Sequence, residues 1–260
     1  MNYWTQLSID FANQRNYLDK LFEVYPTIPE DIRDIDNTMW SYVETAFNSK
    51  DNKNLVKYLL DLPLFPIKDS YVAYLKRDSS AIERNPETIN RLAGRLYQMG
   101  LNKIFERCSE PKETNRQIGP LFKRWLAKGT LGVPLLKKEE FDKTNNNAIL
   151  DAGDAELKNY ALEKLNYEAS KGLDFIARFN GKYIVGEAKF LTDFGGHQNA
   201  QFNDAITLVR NKTVTAIKIA ILDGVLYIKS NNQMFKFLTE TTHNYNILSC
   251  LVLREFLYQI

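Results

Sequence analysis

Leu173-Asp174-Phe175-Ile176-Ala177-Arg178-Phe179-Asn180-Gly181-Lys182-Tyr183-Ile184-Val185-Gly186-Glu187-Ala188-Lys189-Phe190 holds two apolar, β-prone runs on either side of an Asn-Gly pair. Asn-Gly is the strongest short-range signal for a two-residue type I′ hairpin turn, which needs positive φ at both central residues. The turn predicts a register. Phe179 stands opposite Lys182, Ala177 opposite Ile184, Phe175 opposite Gly186, and Asp174 opposite Glu187. Side chains alternate faces along a strand, so Asp174, Glu187 and Lys189 share one face. Two carboxylates directly opposed in a sheet repel, at a cost of up to about 1 kcal/mol. A divalent cation held between them, with a lysine one step along, turns that cost into a place for chemistry. The plain alternative is an edge strand with one solvated face.

Working outward, Asp154 can cap a helix running to about Ser170, with Glu156 in its first turn and Leu157, Ala161 and Leu165 facing inward. After the hairpin, Asp193-Phe194-Gly195-Gly196-His197 reads as a loop and Gln198 to Val209 as a polar-faced helix. Strands are expected at Ala216–Leu222 and Val225–Lys229 around Asp223-Gly224, and a closing helix or strand over Asn246–Tyr258. Upstream, apolar residues recur at helical spacing in the first 60 residues and again between Ile89 and Met99, behind Asn85-Pro86-Glu87 as a helix start. The chain therefore reads as a mainly helical region over 1–145 and an α/β core over 146–260, or as one continuous domain.

Composition excludes more than it selects. At 260 residues, with 44% hydrophobic and 25% charged residues, the chain is long enough for a large core and ordinary for a globular protein. A net charge of +2 does not announce nucleic acid by itself. From Leu101 to Glu140, however, nine Lys/Arg stand against five Glu, a local surplus of four. That puts Arg116, Gln117, Lys123 and Arg124 forward as phosphate or base contacts; the bland reading is a solvated turn and helix. No apolar run is long enough to span a membrane and the start lacks a secretory pattern, so a cytoplasmic location is expected. Cys108 and Cys250 read as reduced core thiols. With two histidines and no CxxC, zinc sites of the usual kinds are excluded. Walker, Rossmann and nucleophile-elbow motifs are missing too. Carboxylates and lysines are left to do the chemistry.

Asp174 followed thirteen residues later by Glu187-Ala188-Lys189, on a hairpin with a helix before it and an amide-rich helix after it, resembles the PD-(D/E)xK nuclease superfamily and, within it, type II restriction endonucleases. The resemblance covers about residues 150 to 230. One position departs: Leu173 stands where the family's name-giving proline would be. The resemblance implies a restriction-endonuclease-like α+β fold, a mixed sheet flanked by helices. It also implies Mg²⁺, one ion or two, held by Asp174, Glu187 and the Ala188 carbonyl. Lys189 would orient the attacking water, help deprotonate it and offset developing charge. Glu156 is the further acid, in an outer shell or at a second metal, unless it serves only the helix dipole. Asp193, His197, Gln198, Asn199, Gln201 and Asn203 would meet the bases, since amides pair with adenine and His with guanine edges. Double-stranded DNA, a homodimer for a palindromic target and a cognate DNA methyltransferase are the expected partners. Two alternatives stay open: a nuclease of the same core in repair, resolvase or exonuclease work, and a non-catalytic DNA-binding protein with a structural hairpin.

Overall fold

The computed structural model describes residues 1–260 except 15, 28–32, 112–117, 169–170 and 241–243. Among the described residues, β1 (Leu135–Leu136), β2 (Ala148–Leu150), β3 (Phe175–Phe179), β4 (Lys182–Leu191), β5 (Ile217–Gly224) and β6 (Asn246–Leu248) form one sheet in that order. The pairs β1/β2, β4/β5 and β5/β6 are parallel, while β2/β3 and β3/β4 are antiparallel. The β3–β4 turn has φ of 50° at Asn180 and 74° at Gly181, the type I′ signature. The predicted register holds through Phe179↔Lys182, Ala177↔Ile184 and Phe175↔Gly186.

Alternation sends the residues of the hairpin into two different cores. Phe175, Ala177, Phe179, Ile184 and Ala188 join Ile9, Leu21, Phe122, Leu253 and Phe256. Those last five come from the helices Tyr3–Ala12, Tyr17–Val24, Ile118–Ala127 and Cys250–Gln259. Ile176 and Val185, on the opposite face, meet Leu157, Tyr160, Ala161 and Leu165 of the helix Asp154–Leu165. The parallel β4/β5 pair requires a crossover. The helix Gly196–Arg210 supplies it, burying Phe202, Ala205, Ile206 and Val209. The α+β arrangement of a mixed sheet flanked by helices is the one expected.

Three local expectations are corrected. Val225–Tyr227 is a 3-10 helix and not a strand. Gly224, at φ 101°, turns the chain out of the sheet after β5 has paired with two parallel neighbours, so no second hairpin forms. Gly153 and not Asp154 is the N-cap of the helix before the hairpin. The tail is strand and helix in succession, β6 and then Cys250–Gln259, capped by the Ser249 side chain.

The chain divides into two compact units, Met1–Thr27 with Thr114–Ile260, and Ile28–Glu113. The first helices and the helix Ile118–Ala127 carry apolar faces that belong to the sheet's core. The second unit is helical, with helices including Asn37–Asn48, Asn52–Asp61 and Pro86–Met99. It has a core of its own, in which Val43, Leu55, Leu59, Leu92, Leu96 and Ile104 are fully buried. Both cysteines are free and buried. No helix among the described residues is long and apolar enough to cross a membrane.

Candidate active site

Asp174 precedes β3 by one residue, where the regular ladder gives way. Its N–H still donates to the Gly186 carbonyl at 3.1 Å. The next partner is its side chain: Asp174 Oδ2 accepts the Ala188 N–H at 2.9 Å. A carboxylate thus takes the place of a backbone acceptor and is pinned at the strand end. The same Oδ2 accepts from Lys189 Nζ at 2.9 Å, and that ammonium lies 2.7 Å from Glu187 Oε1. The three side chains share one face, as alternation requires. They retain 17, 11 and 22% exposure for Asp174, Glu187 and Lys189, so they are shielded but reachable.

One ammonium serves two carboxylates, and the electrostatics follow from that shortage. Burial and the Asp174 charge push the Glu187 carboxyl up to about 7, against the pull of Lys189. Burial draws the Lys189 ammonium down, but the charges and hydrogen bonds of Asp174 and Glu187 outweigh it, and its pKa is raised. Lys189 is therefore charged at neutral pH, and in this arrangement it is a cation and not a proton acceptor. It stands between the two carboxylates, where the sequence placed a metal.

Two carboxylates and the Ala188 carbonyl are hard oxygen donors that suit Mg²⁺, an ion usually held by one or two carboxylates with the rest of its shell water. Among the described residues no cluster of three or more His, Cys, Asp and Glu side chains is spaced to hold a metal.

Other residues border the trio without having been legible in sequence. Tyr167 is buried, and burial with the charges of Glu187 and Asp174 pushes its phenol up to about 12. Its hydroxyl donates to the Lys171 carbonyl at 3.3 Å. Lys171 is ion-paired with Asp204 of the crossover helix. The Asn166 that ends the preceding helix, at φ 55°, is a recognisable C-cap, but nothing in linear order ties Tyr167 to Asp174 and Glu187.

The remaining expected residues are distributed as follows. Glu156 is exposed, and its Oε2 accepts the Gly153 N–H at 2.8 Å, so its carboxylate is used to close the start of its helix. Lys123 reaches the same helix start, 2.5 Å from Asp154 Oδ1. Arg124 is exposed, and Arg116 and Gln117 lie outside the described residues. Asp193 Oδ1 accepts the Phe194 N–H at 2.6 Å. Gln198 is buried, and its Oε1 accepts the Thr192 N–H at 3.3 Å; Asn199 Nδ2 donates to the Phe194 carbonyl at 3.0 Å. These two amides brace the loop from within. His197 is exposed, with Nε2 3.1 Å from Gln201 Nε2, and Asn203 is exposed as well.

Compared with known proteins, the chain matches the model of the Tsp45I type II restriction enzyme family over residues 2–260. No curated protein and no solved structure gives a match.

Proposed function

Because the chain belongs to the Tsp45I type II restriction enzyme family, and so is a site-specific deoxyribonuclease, we propose that it uses Asp174, Glu187 and Lys189 with Mg²⁺ to hydrolyse phosphodiester bonds at one short sequence in double-stranded DNA. The observation that carries this reading is Lys189 Nζ within hydrogen-bond distance of both Asp174 and Glu187 on one sheet face. Asp174 and Glu187, with the Ala188 carbonyl, would hold the cation. Bound there, Mg²⁺ would polarise the phosphate and lower the pKa of a water. Released from the carboxylates, the Lys189 ammonium would turn to the scissile phosphate, orient the attacking water and offset the charge that develops on the phosphoryl oxygens. Glu156 would act from further out, or at a second ion.

For the target, the exposed Arg124, His197 and Asn203 and the half-buried Gln201 are free of the structural duties that occupy Lys123, Asp193, Gln198 and Asn199, and are the contacts favoured. Arg116 and Gln117 remain part of the proposal. A palindromic site would be met by two copies related by a two-fold axis. A methyltransferase reading the same sequence would protect the host DNA in the cytoplasm.

The test is digestion of a sequenced plasmid with Mg²⁺ and with EDTA, followed by run-off sequencing of the ends. Discrete fragments with Mg²⁺, all ending at one sequence, and intact plasmid with EDTA are expected. Cleavage that persists in EDTA, or ragged ends, would overturn the proposal.

A further inference from the structure

Two residues before Asp174, the chain runs hard against the start of a helix. A Cβ on Gly172 would stand 3.0 Å from Asp154 Cβ, 3.3 Å from the Asp154 carbonyl oxygen and 3.5 Å from its carbonyl carbon. Carbon atoms in good contact lie about 3.5–4.0 Å apart, so a side chain here is crowded. All three atoms are set by the helix backbone and cannot swing aside as a side-chain end would. The wall is also fixed in place. Asp154 opens the helix Asp154–Leu165, whose Leu157, Tyr160 and Ala161 are buried. Lys123 Nζ lies 2.5 Å from Asp154 Oδ1 and donates to the Ala152 carbonyl at 3.4 Å. The Gly153 N–H donates to Glu156 Oε2 at 2.8 Å, and the Gly153 carbonyl accepts the Leu157 N–H at 2.8 Å.

On either side of Gly172 the segment has little slack. The Tyr167 hydroxyl holds the Lys171 carbonyl at 3.3 Å. Leu173 is fully buried, in the core that also takes Leu157 and Ala161. The Asp174 N–H donates to the Gly186 carbonyl at 3.1 Å, and Asp174 Oδ2 accepts from the Ala188 N–H and from Lys189 Nζ, both at 2.9 Å. We propose that Gly172 is a positioning residue for the Asp174 carboxylate: its missing side chain lets the segment rest on the Asp154 backbone, and that contact sets how far Asp174 reaches over β4. A methyl group at 172 must open the contact by a few tenths of an ångström. The helix start is anchored, so the displacement passes along the segment to Asp174, two residues on. Misplacing a reacting group by about 1 Å costs on the order of 10²-fold in rate, and smaller shifts cost proportionately less.

The inference rests on the proposed role of Asp174, and the experiment separates the two. Steady-state cleavage of plasmid DNA with Mg²⁺ is measured on full-length variants, with urea unfolding of each beside it. Gly172→Ala is expected to lower kcat about threefold to tenfold and Gly172→Val about 10²-fold. In both, KM for DNA should stay within about twofold of the parent, since the loss falls on the reacting geometry and not on binding. Asp154→Gly removes the nearest of the three crowding atoms. Alone it should leave kcat within about twofold of the parent, and combined with Gly172→Ala it should restore most of the lost rate. A structural role without positioning predicts otherwise: lower urea midpoints, kcat per folded molecule unchanged and no rescue in the double variant. That result overturns the inference, as does a loss carried by KM or an equal loss for Ala and Val. Gly172→Ser replaces Gly172→Val if the latter does not unfold cooperatively. Asp174→Asn checks the site itself. If it cleaves like the parent, the proposed site fails and this inference with it. If it is inactive while the Gly172 variants cleave like the parent, only this inference fails.

Discussion

Lys189 holds two carboxylates in the structure and is asked to face a phosphate in the proposed reaction. Both roles use the same charge, so they compete. Lys189→Ala should therefore separate them: cleavage falls on the order of 10²–10³-fold, DNA binding in a gel shift survives, and Mn²⁺ binds more tightly. Unchanged cleavage would return the hairpin to a purely structural role. Asp223 offers a contrast, a carboxylate kept for architecture. It is fully buried and accepts from Ser249 Oγ at 2.5 Å, Tyr25 Oη at 3.0 Å and the Cys250 N–H at 3.3 Å. Burial raises its pKa, although the bonds from Cys250, Ser249 and Tyr25 pull the other way. A carboxyl raised in the fold stabilises it fully below the unfolded value of about 4, and that contribution is lost as pH rises through the folded value. The Tm advantage of the parent over Asp223→Asn should thus be largest at the acid end of the accessible range and shrink toward neutral pH. A gap that widens toward neutral pH would contradict the sign.

At the scale of elements, two glycines with positive φ make opposite demands. Gly181, at φ 74°, sits in the hairpin turn, and a Cβ there meets nothing within 4 Å. Gly181→Ala should cost only the left-handed backbone penalty, about 1–2 kcal/mol, measured by urea unfolding. Gly224, at φ 101°, pairs with Leu191 at the end of the β4/β5 ladder, and a Cβ would stand 2.1 Å from the Leu191 carbonyl oxygen. Gly224→Ala must move backbone, and a loss of about 3–5 kcal/mol is expected in the same assay. The Asn-Gly turn was plain in the sequence because its chemistry lies within two residues. Gly224 looked like a second turn of the same kind, yet β5 was drawn to parallel partners far away in sequence, and the following residues were released from the sheet.

At the scale of the whole chain, the helical unit Ile28–Glu113 has its own fully buried core. Expressed alone, it should show a helical circular dichroism spectrum and melt cooperatively, with no cleavage of DNA. A featureless melt would show that its core depends on the rest of the chain. Helical periodicity announced the elements of this unit but not its limits. The helices Tyr3–Ala12 and Ile118–Ala127 have the same amphipathic character, and their sequences do not say which core takes their apolar faces.

The sequence by itself determined what depends on near neighbours: the type I′ turn, the register it imposes, and hence Asp174, Glu187 and Lys189 on one face. Tertiary structure alone decided where long side chains end and which distant segments meet. It set the Lys189 ammonium between the carboxylates, spent Gln198 and Asn199 on the loop, engaged Glu156 at its own helix start, and paired Lys171 with Asp204 of the crossover helix. The reason is physical. Backbone register follows from local torsions, whereas a flexible side chain settles on whichever partner the folded chain brings within reach.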